Sequence, residues 1–223
     1  MADSEVITDN LLEMYGRDDW IMRWNFGIFL RRSGLACLDR KSRILDFGCA
    51  MGHLLRLLRQ EGFTQISGMD AAPAMVEAAR HISDCPVVLG NAVECGQLFP
   101  PGEADVIIIS DLVHHIESVE EWRTMLAGCR RLLAPGGLLV IREPWQTPLL
   151  RLLQVMAHHR IFYIGPLKGR LRSFVEESAL LDHFFANWPP IYHTLLREQG
   201  FLVEQDVSWL VHRITTARTG VPC

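Results

Sequence analysis

Short apolar runs alternate with stretches of helical periodicity from residue 43 onward. Five runs are rich in β-branched residues: Arg43–Asp46, Gln65–Met69, Pro86–Leu89, Asp105–Ile109 and Leu138–Ile141. Such alternation is typical of a parallel sheet whose strands are joined by crossover helices. The fourth run is apolar at positions 106–109, as expected of a central strand buried on both faces. We therefore predict an α/β fold with helices on both faces of the sheet.

Proline and glycine mark the ends of the intervening helices. We predict helices at Leu54–Arg59, before Gly62, at Pro73–His81, which opens with proline, and at Val119–Leu133, before Pro-Gly-Gly. These connections are long enough for the right-handed crossovers that join parallel strands.

Apolar segments flank this core on both sides. Residues 1–40 are largely helical in pattern, and we interpret them as an N-terminal lid. A stretch as long as 146–190 is improbable without structure, so we predict a helical cap with helices at Leu149–Ala157 and Glu176–Phe185. The apolar side chains of the cap form either a binding pocket for an apolar ligand or the cap's own core.

The remaining residues complete one domain. After the core at 41–145 and the cap, residues 191–223 supply a final helix at Ile191–Gln199 and a hairpin of Leu202–Trp209 with Arg213–Arg218. A chain of 223 residues with 49% hydrophobic content fits one large domain better than two small ones.

Charge and cysteine content narrow the class of protein. The net charge is -4 and the lysines and arginines are dispersed, so we expect no nucleic-acid partner. The six cysteines show no metal-binding or C-x-x-C spacing, and we expect reduced, mostly buried thiols. The N-terminus is acidic and polar and no apolar run is long enough for a membrane span, which favours a cytoplasmic protein.

Residues 44–52, Ile-Leu-Asp-Phe-Gly-Cys-Ala-Met-Gly, end the first predicted strand in a glycine loop. Open α/β sheets bind ligands at this edge, where a dinucleotide fingerprint would place glycine at Ala50 and His53. The Ala50 methyl group obstructs a pyrophosphate, and the Asp46 carboxylate repels it. Asp70 ends the second strand and can accept hydrogen bonds from both hydroxyls of a ribose. The loop therefore predicts a positively charged nucleoside without a pyrophosphate.

Further short motifs follow in order along residues 44–143. Together with the loop and Asp70, Gly90-Asn91-Ala92, Ser110-Asp111-Leu112-Val113-His114-His115-Ile116 and Leu133-Ala134-Pro135-Gly136-Gly137 resemble the class I S-adenosylmethionine-dependent methyltransferases. The paired histidines further resemble the small-molecule branch that includes the quinone-biosynthesis methyltransferases. The resemblance implies a Rossmann-like, seven-stranded, mostly parallel sheet with the last strand antiparallel. It also implies methyl transfer from S-adenosylmethionine to oxygen, nitrogen or carbon of an aromatic or apolar small molecule, releasing S-adenosylhomocysteine.

The resemblance also implies roles for individual residues in binding the cofactor. Asp46 suits its positive charge, and Asp111 would touch its methionyl end or orient a histidine. The methionine moiety would approach the backbone of Gly48, Cys49 and Gly52, the ribose would bind Asp70, and adenine would meet Asn91, the Ala92 amide, Ala71, Ala72 and Met75. The family often has aspartate where Asn91 stands, and the asparagine carbonyl can accept the same hydrogen bond.

His114 and His115 are the candidate acid–base residues. Methyl transfer is an in-line displacement that depends mainly on positioning and on exclusion of water. A base is needed only if the acceptor arrives protonated, and histidine titrates in the appropriate range. Because adjacent side chains diverge, we expect one histidine to face the acceptor and the other to pack or bond to backbone.

Glu143 and Tyr15 complete the candidate catalytic set. We expect Glu143 to face the same cleft, where it could bind an amine, the alternative being a surface loop carboxylate. Tyr15 matches a position where related enzymes place an aromatic lid, the alternative being core packing. Asp111 and the two histidines would need a favourable fold to hold a metal from one loop, so we predict no metal.

Other classes of function stay open at this point. The loop spacing disfavours an NAD(P)-dependent oxidoreductase. A nucleic-acid or protein methyltransferase is disfavoured because residues 110–113 lack a (D/N/S)-P-P-(Y/F/W) motif. A non-catalytic scaffold or regulatory subunit could keep the same loop, because fold alone does not establish function. The sequence leaves the acceptor open, and the oligomeric state is either a monomer or a homodimer.

Overall fold

The computed structural model describes residues 20–158, 178–187 and 191–220. The strands in these ranges are β1 (Arg43–Phe47), β2 (Gln65–Asp70), β3 (Val87–Leu89), β4 (Ala104–Ser110), β5 (Leu133–Pro144), β6 (Phe201–Trp209) and β7 (His212–Thr219). The α-helices are α1 (Trp20–Arg32), α2 (His53–Gln60), α3 (Pro73–Ser83), α4 (Cys95–Leu98), α5 (Val119–Leu132), α6 (Pro148–His158), α7 (Ser178–Asn187) and α8 (Tyr192–Glu198).

The described strands form one seven-stranded sheet in the order β3-β2-β1-β4-β5-β7-β6. Strands β1 to β5 pair in parallel, and β7 lies antiparallel between β5 and β6. The predicted Rossmann-like sheet with an antiparallel last strand is confirmed. The chain order reverses at β1, which lies between β2 and β4, and the carboxyl ends of strands at such a switch point form a ligand-binding crevice.

Two apolar clusters lie on the two faces of the sheet. One contains Trp122 of α5 and Phe184 of α7, and the other contains Phe29 of α1 and Leu55 of α2. Residues 106–109 of β4 are buried, as predicted for a central strand. Burial of apolar area on both faces is the main contribution to the stability of this arrangement.

Helix α5 and strand β5 follow each other without a loop. A capping box of Ser118 and Glu121 fixes the start of α5, as expected from the reciprocal hydrogen bonds of such a pair. The helix ends at Leu132, and the extended backbone of Leu133 passes directly into β5. The Pro-Gly-Gly sequence therefore lies inside β5, where the pairing with β4 shifts register between Ala104 and Val106. Strand β5 is consequently longer than the predicted Leu138–Ile141.

The exposed edge of the sheet at β3 is short and partly covered. The Nε of Arg80, from α3, donates a hydrogen bond to the carbonyl of Val87 at 3.0 Å. This carbonyl points away from β2, whose Gly68 amide instead donates a hydrogen bond to the Pro86 carbonyl. The side chain of Arg80 thus occupies an acceptor that would otherwise be open at the edge.

The lid and cap segments are described in part. Helix α6 confirms the predicted Leu149–Ala157, α7 spans Ser178–Asn187 where Glu176–Phe185 was predicted, and Tyr15 lies outside the described residues. The division into lid (1–40), core (41–145), cap (146–190) and final segment (191–223) stays a prediction. Within the described ranges, no helix has the length and apolar character needed to cross a bilayer.

The described cysteines are all free thiols. Cys49, Cys85, Cys95 and Cys129 are buried and Cys37 is exposed, which agrees with the predicted reduced, mostly buried cysteines. Cys223 lies outside the described residues.

Candidate active site

The glycine loop leaves β1 and turns sharply into α2. Gly48 and Gly52 both have left-handed backbones, with φ of 68° and 78°. A Cβ at Gly52 would lie 3.0 Å from the backbone of Ala79 in α3, and a Cβ at Gly48 would lie 3.1 Å from the Leu112 side chain. Glycine is therefore required here both for conformation and for space.

Asp70 holds the glycine loop against the loop that follows β2. Its Oδ2 accepts a hydrogen bond from the Ala50 amide at 2.9 Å, and its Oδ1 accepts one from the Ala72 amide at 2.9 Å. Each carboxylate oxygen has a further lone pair, so the side chain can still accept bonds from two hydroxyls. The amides of Gly48 and Cys49 donate to the Met69 carbonyl, and their predicted approach to a methionine moiety stays a prediction.

Asp46 is a buried carboxyl group at the end of β1. It is 2% exposed, and within the described part of the chain no hydrogen-bond donor pairs with it. Burial, and then the charge of Asp70, raises its pKa to about 8. Burial and the neighbouring Asp46 also raise the pKa of the Cys49 thiol. A positive group is the natural partner for this acidic region.

The residues predicted to meet adenine follow β2 and β3. Asp70 pairs with Leu89 in the sheet, so the loops after these strands begin side by side. The Asn91 Oδ1 accepts the Val93 amide at 3.0 Å and caps a short 3-10 turn that begins at Ala92. Ala71 is exposed and Met75 is buried. Their contacts with adenine stay predictions.

Glu143 lies at the end of β5 and is only 2% exposed. Its Oε1 accepts the amides of Leu112 and Val113 at 2.8 and 2.6 Å, and its Oε2 lies 2.7 Å from the His114 Nδ1. The expectation that Glu143 faces an open cleft is wrong, as is the alternative of a surface carboxylate, because both oxygens are engaged inside the protein. Sequence reasoning missed this arrangement.

The two histidines lie in a 3-10 turn after β4 and differ in exposure. His114 is buried, with its ring edge-on to Phe184 at 6.4 Å, whereas His115 is exposed. Their ring centroids lie 4.2 Å apart, so the expectation that the side chains diverge is wrong. Partial desolvation, and then the charge of His114, lowers the pKa of His115. The arrangement leaves His115 as the more accessible base.

Asp111 belongs to a second polar group, on the face of the sheet opposite to the one that carries Glu143 and His114. Its Oδ2 pairs with the Arg142 guanidinium and lies 3.2 Å from the Ser110 hydroxyl, while its Oδ1 is 3.4 Å from the His212 Nε2. Burial would raise the pKa of Asp111, but Arg142 and then His212 hold it well below its usual range. Asp111 therefore contacts a different histidine from those expected, and its predicted contact with the cofactor stays a prediction.

Arg142 and His212 were not identified from the sequence. The Arg142 guanidinium is buried, donates to the His212 Nε2 at 2.9 Å and lies 5.4 Å from the ring centre of Phe26 in α1. Arg142 could have been identified as a site residue because it is a charged residue that directly follows the buried apolar run of β5. His212 faces Pro144 across an antiparallel pairing that no local pattern predicts.

The polar groups of this crevice suit S-adenosylmethionine. The unpaired carboxyl of Asp46 matches a cation, and Asp70 has lone pairs free for ribose hydroxyls. Among the described residues, no group of three or more His, Cys, Asp or Glu side chains is arranged to hold a metal ion. Fold and site together define an enzyme of the S-adenosylmethionine-dependent methyltransferase class.

Comparison with known proteins gives the same result. A family model described as a methyltransferase domain matches residues 26–190, and the chain belongs to this family. The match confirms the predicted resemblance, enzyme class and cofactor. The readings as an oxidoreductase or a non-catalytic scaffold lose their support.

Individual relatives extend the likeness. The chain is 27% identical over 179 residues to the ubiquinone biosynthesis O-methyltransferase of Caulobacter sp. (strain K31), covering 74% of this chain and 69% of that protein. It is 31% identical over 138 residues to the mitochondrial ubiquinone biosynthesis O-methyltransferase of Schizosaccharomyces pombe, covering 59% of this chain but only 48% of that protein. A crystal structure of a SAM-dependent methyltransferase from Archaeoglobus fulgidus shares the fold, with a TM-score of 0.61, 18% identity and coverage of 88% and 94%.

Proposed function

We propose that the protein transfers a methyl group from S-adenosylmethionine to an aromatic or apolar small molecule, with oxygen as the first candidate and nitrogen or carbon as alternatives. The observation that carries the proposal is the buried, unpaired carboxyl of Asp46 beside Asp70. The likeness to relatives named as O-methyltransferases supports an oxygen acceptor.

The chain's own residues would hold the cofactor by charge and hydrogen bonding. Asp46 would face its positive charge, and Asp70 would accept hydrogen bonds from its ribose hydroxyls. The bound cofactor supplies an electrophilic methyl group on a sulfonium. The supporting contacts would come from Gly48, Cys49, Gly52, Ala71, Met75, Asn91, Ala92 and Asp111.

The histidines would handle the acceptor's proton. A hydroxyl acceptor would have to give up its proton in exchange for the methyl group, and a histidine of the chain would take that proton. His115 is exposed, and its lowered pKa keeps it neutral near pH 7, as a base requires. Tyr15 would close the site from the lid.

The cap would supply the apolar surface for the acceptor. Leu149, Leu152 and Val155 of α6 are exposed by 38%, 54% and 58%, at a spacing that places them along one side of the helix. Phe184 and Phe185 instead pack in the core, which favours the alternative for those two residues. We further propose that the protein acts in the cytoplasm as a monomer or homodimer without nucleic acid, as its dispersed positive charges suggest.

Calorimetric titration with S-adenosylmethionine and S-adenosylhomocysteine tests the cofactor site. Saturable binding should weaken at least ~tenfold in Asp70→Ala, since two loop contacts and the ribose acceptor are lost. Asp182→Ala, an exposed aspartate in α7, is the matched control and should bind like the wild type. Binding of NAD but not of the sulfur nucleosides would contradict the proposal. A screen of phenolic and amine acceptors, followed by His115→Gln, then tests the proton transfer.

A further inference from the structure

Three hydrogen-bonding groups converge on the buried carboxyl group of Glu143. Two are the backbone amides of Leu112 and Val113, and the third is the Nδ1 of His114. The His114 and Glu143 side chains are only 2% and 3% exposed. A carboxylate in its ionised form is an acceptor only, and it can satisfy all three donors at once.

This geometry determines where His114 carries a proton. The Oε1 of Glu143 accepts both amide hydrogens, so the remaining contact of the carboxyl is the one between Oε2 and the His114 Nδ1. A ring nitrogen 2.7 Å from an ionised oxygen must place a hydrogen between them, so the proton is on Nδ1. The Nε2 is then the nitrogen that can gain or lose a proton.

The same contacts hold the loop that carries His115, the histidine proposed to face the methyl acceptor. Glu143 belongs to β5, yet it binds three consecutive residues after β4, 112–114, immediately before His115. The His115 ring lies against the His114 ring at 4.2 Å. The position of His115 therefore depends on Glu143, which acts through the neighbouring residues 112–114.

We propose that Glu143 is a positioning residue for the histidine pair His114 and His115: it holds the Nδ1–H form of His114 and the path of the loop, and so orients His115 toward the acceptor. The inference rests on the proposed function for the role of His115. The protonation of His114 can be measured without turnover.

The first experiment uses wild-type protein labelled with ¹⁵N-histidine. Long-range ¹H–¹⁵N correlation spectra distinguish the two neutral tautomers and the imidazolium, and His114→Gln identifies the signals of His114. We expect a protonated Nδ1 near pH 7. A neutral ring with its proton on Nε2 and a bare Nδ1 would overturn the proposal, whether or not the Glu143 variant folds.

The second experiment replaces the carboxylate by an amide of the same shape. In Glu143→Gln, the amide oxygen can accept the two backbone amides while its NH₂ donates to Nδ1, which forces the His114 proton to Nε2. Glu117→Gln, an exposed residue in the same connection, is the control and should leave the tautomer unchanged. A folded Glu143→Gln protein with Nδ1 still protonated would contradict the inference.

Binding and turnover separate this inference from the proposed function. In Glu143→Gln we expect cofactor affinity within about twofold of the wild type and a fall in kcat of at least ~tenfold. An unchanged kcat would show that Glu143 does not position the base. Failure of the wild type to bind S-adenosylmethionine would instead overturn the proposed function and leave the tautomer result intact.

Discussion

Asp46 and Glu143 are both buried carboxyl groups at the carboxyl edge of one sheet, each 2% exposed, but their surroundings are opposite. Glu143 accepts two backbone amide hydrogen bonds and lies 2.7 Å from the His114 Nδ1, whereas no hydrogen-bond donor within the described chain meets Asp46. The pKa of Asp46 accordingly rises to about 8. A satisfied buried carboxylate stabilises the fold, and an unsatisfied one marks a place that a ligand completes.

Removal of Glu143 should have the largest effect. Glu143→Ala leaves two amides and a histidine nitrogen buried without their acceptor, so we expect a loss of about 3–5 kcal/mol in the free energy of unfolding. Urea denaturation at neutral pH measures it. Glu117→Ala, on the surface, should change stability by less than about 0.5 kcal/mol. A similar small change for Glu143→Ala would remove the distinction between the two carboxyl groups.

A substitution at Gly52, in the loop that follows Asp46, should cause the second-largest loss of stability. Gly52→Ala adds a Cβ 3.0 Å from the Ala79 backbone and imposes a left-handed alanine, at a cost of about 2–4 kcal/mol. Gly136→Ala is a matched control, because its φ is 75° but a Cβ there meets nothing within 4 Å. Only backbone strain, about 1–2 kcal/mol, should appear in the control. Equal losses would show that the approach of α3 is unimportant.

Unlike the two preceding substitutions, Asp46→Asn should increase the stability of the protein at high pH. The folded pKa of Asp46 is about 8, above its ordinary 3.8, so its contribution to stability is complete below about pH 4 and is lost as the pH rises through about 8. Asparagine does not titrate. The variant should therefore gain stability relative to the wild type as the pH rises from about 4 to about 8. Parallel stability curves from pH 5 to 9 would contradict the raised pKa.

Proton release on cofactor binding should be the smallest effect. Near pH 7 most Asp46 carboxyl groups hold a proton, and a cation bound beside them favours ionisation. Binding of S-adenosylmethionine should release up to roughly one proton. Calorimetry in buffers of different ionisation enthalpy detects it, and Asp46→Asn should abolish the difference. Identical heats in phosphate and Tris would place the positive charge elsewhere.

Local patterns predicted most of the sheet and placed the glycine loop and Asp70 at its carboxyl edge. Runs of buried β-branched residues located the parallel strands, and the loop around Gly48 with Asp70 carried its own chemical signature. These features depend on short stretches of chain, so one sequence contains enough information to find them.

The other half of the site depends on pairings between distant segments. Glu143 looks exposed in sequence because a charged residue ends a strand, and only the fold of the β4 loop supplies its donors. His212 meets Arg142 through the register of β5 with β7. The two residues lie 70 positions apart in the chain, so no local pattern indicates the contact. The extension of β5 back to Leu133 was missed because α5 leads into it without a turn.

The Arg80 contact at β3 has a consequence for how copies of the chain behave at high concentration. An open sheet edge is a template on which another strand can form hydrogen bonds, and proteins protect such edges with short strands and charged side chains. Strand β3 has three residues, and Arg80 already occupies the Val87 carbonyl. Edge-to-edge aggregation at this side of the sheet is therefore disfavoured by the folded protein itself.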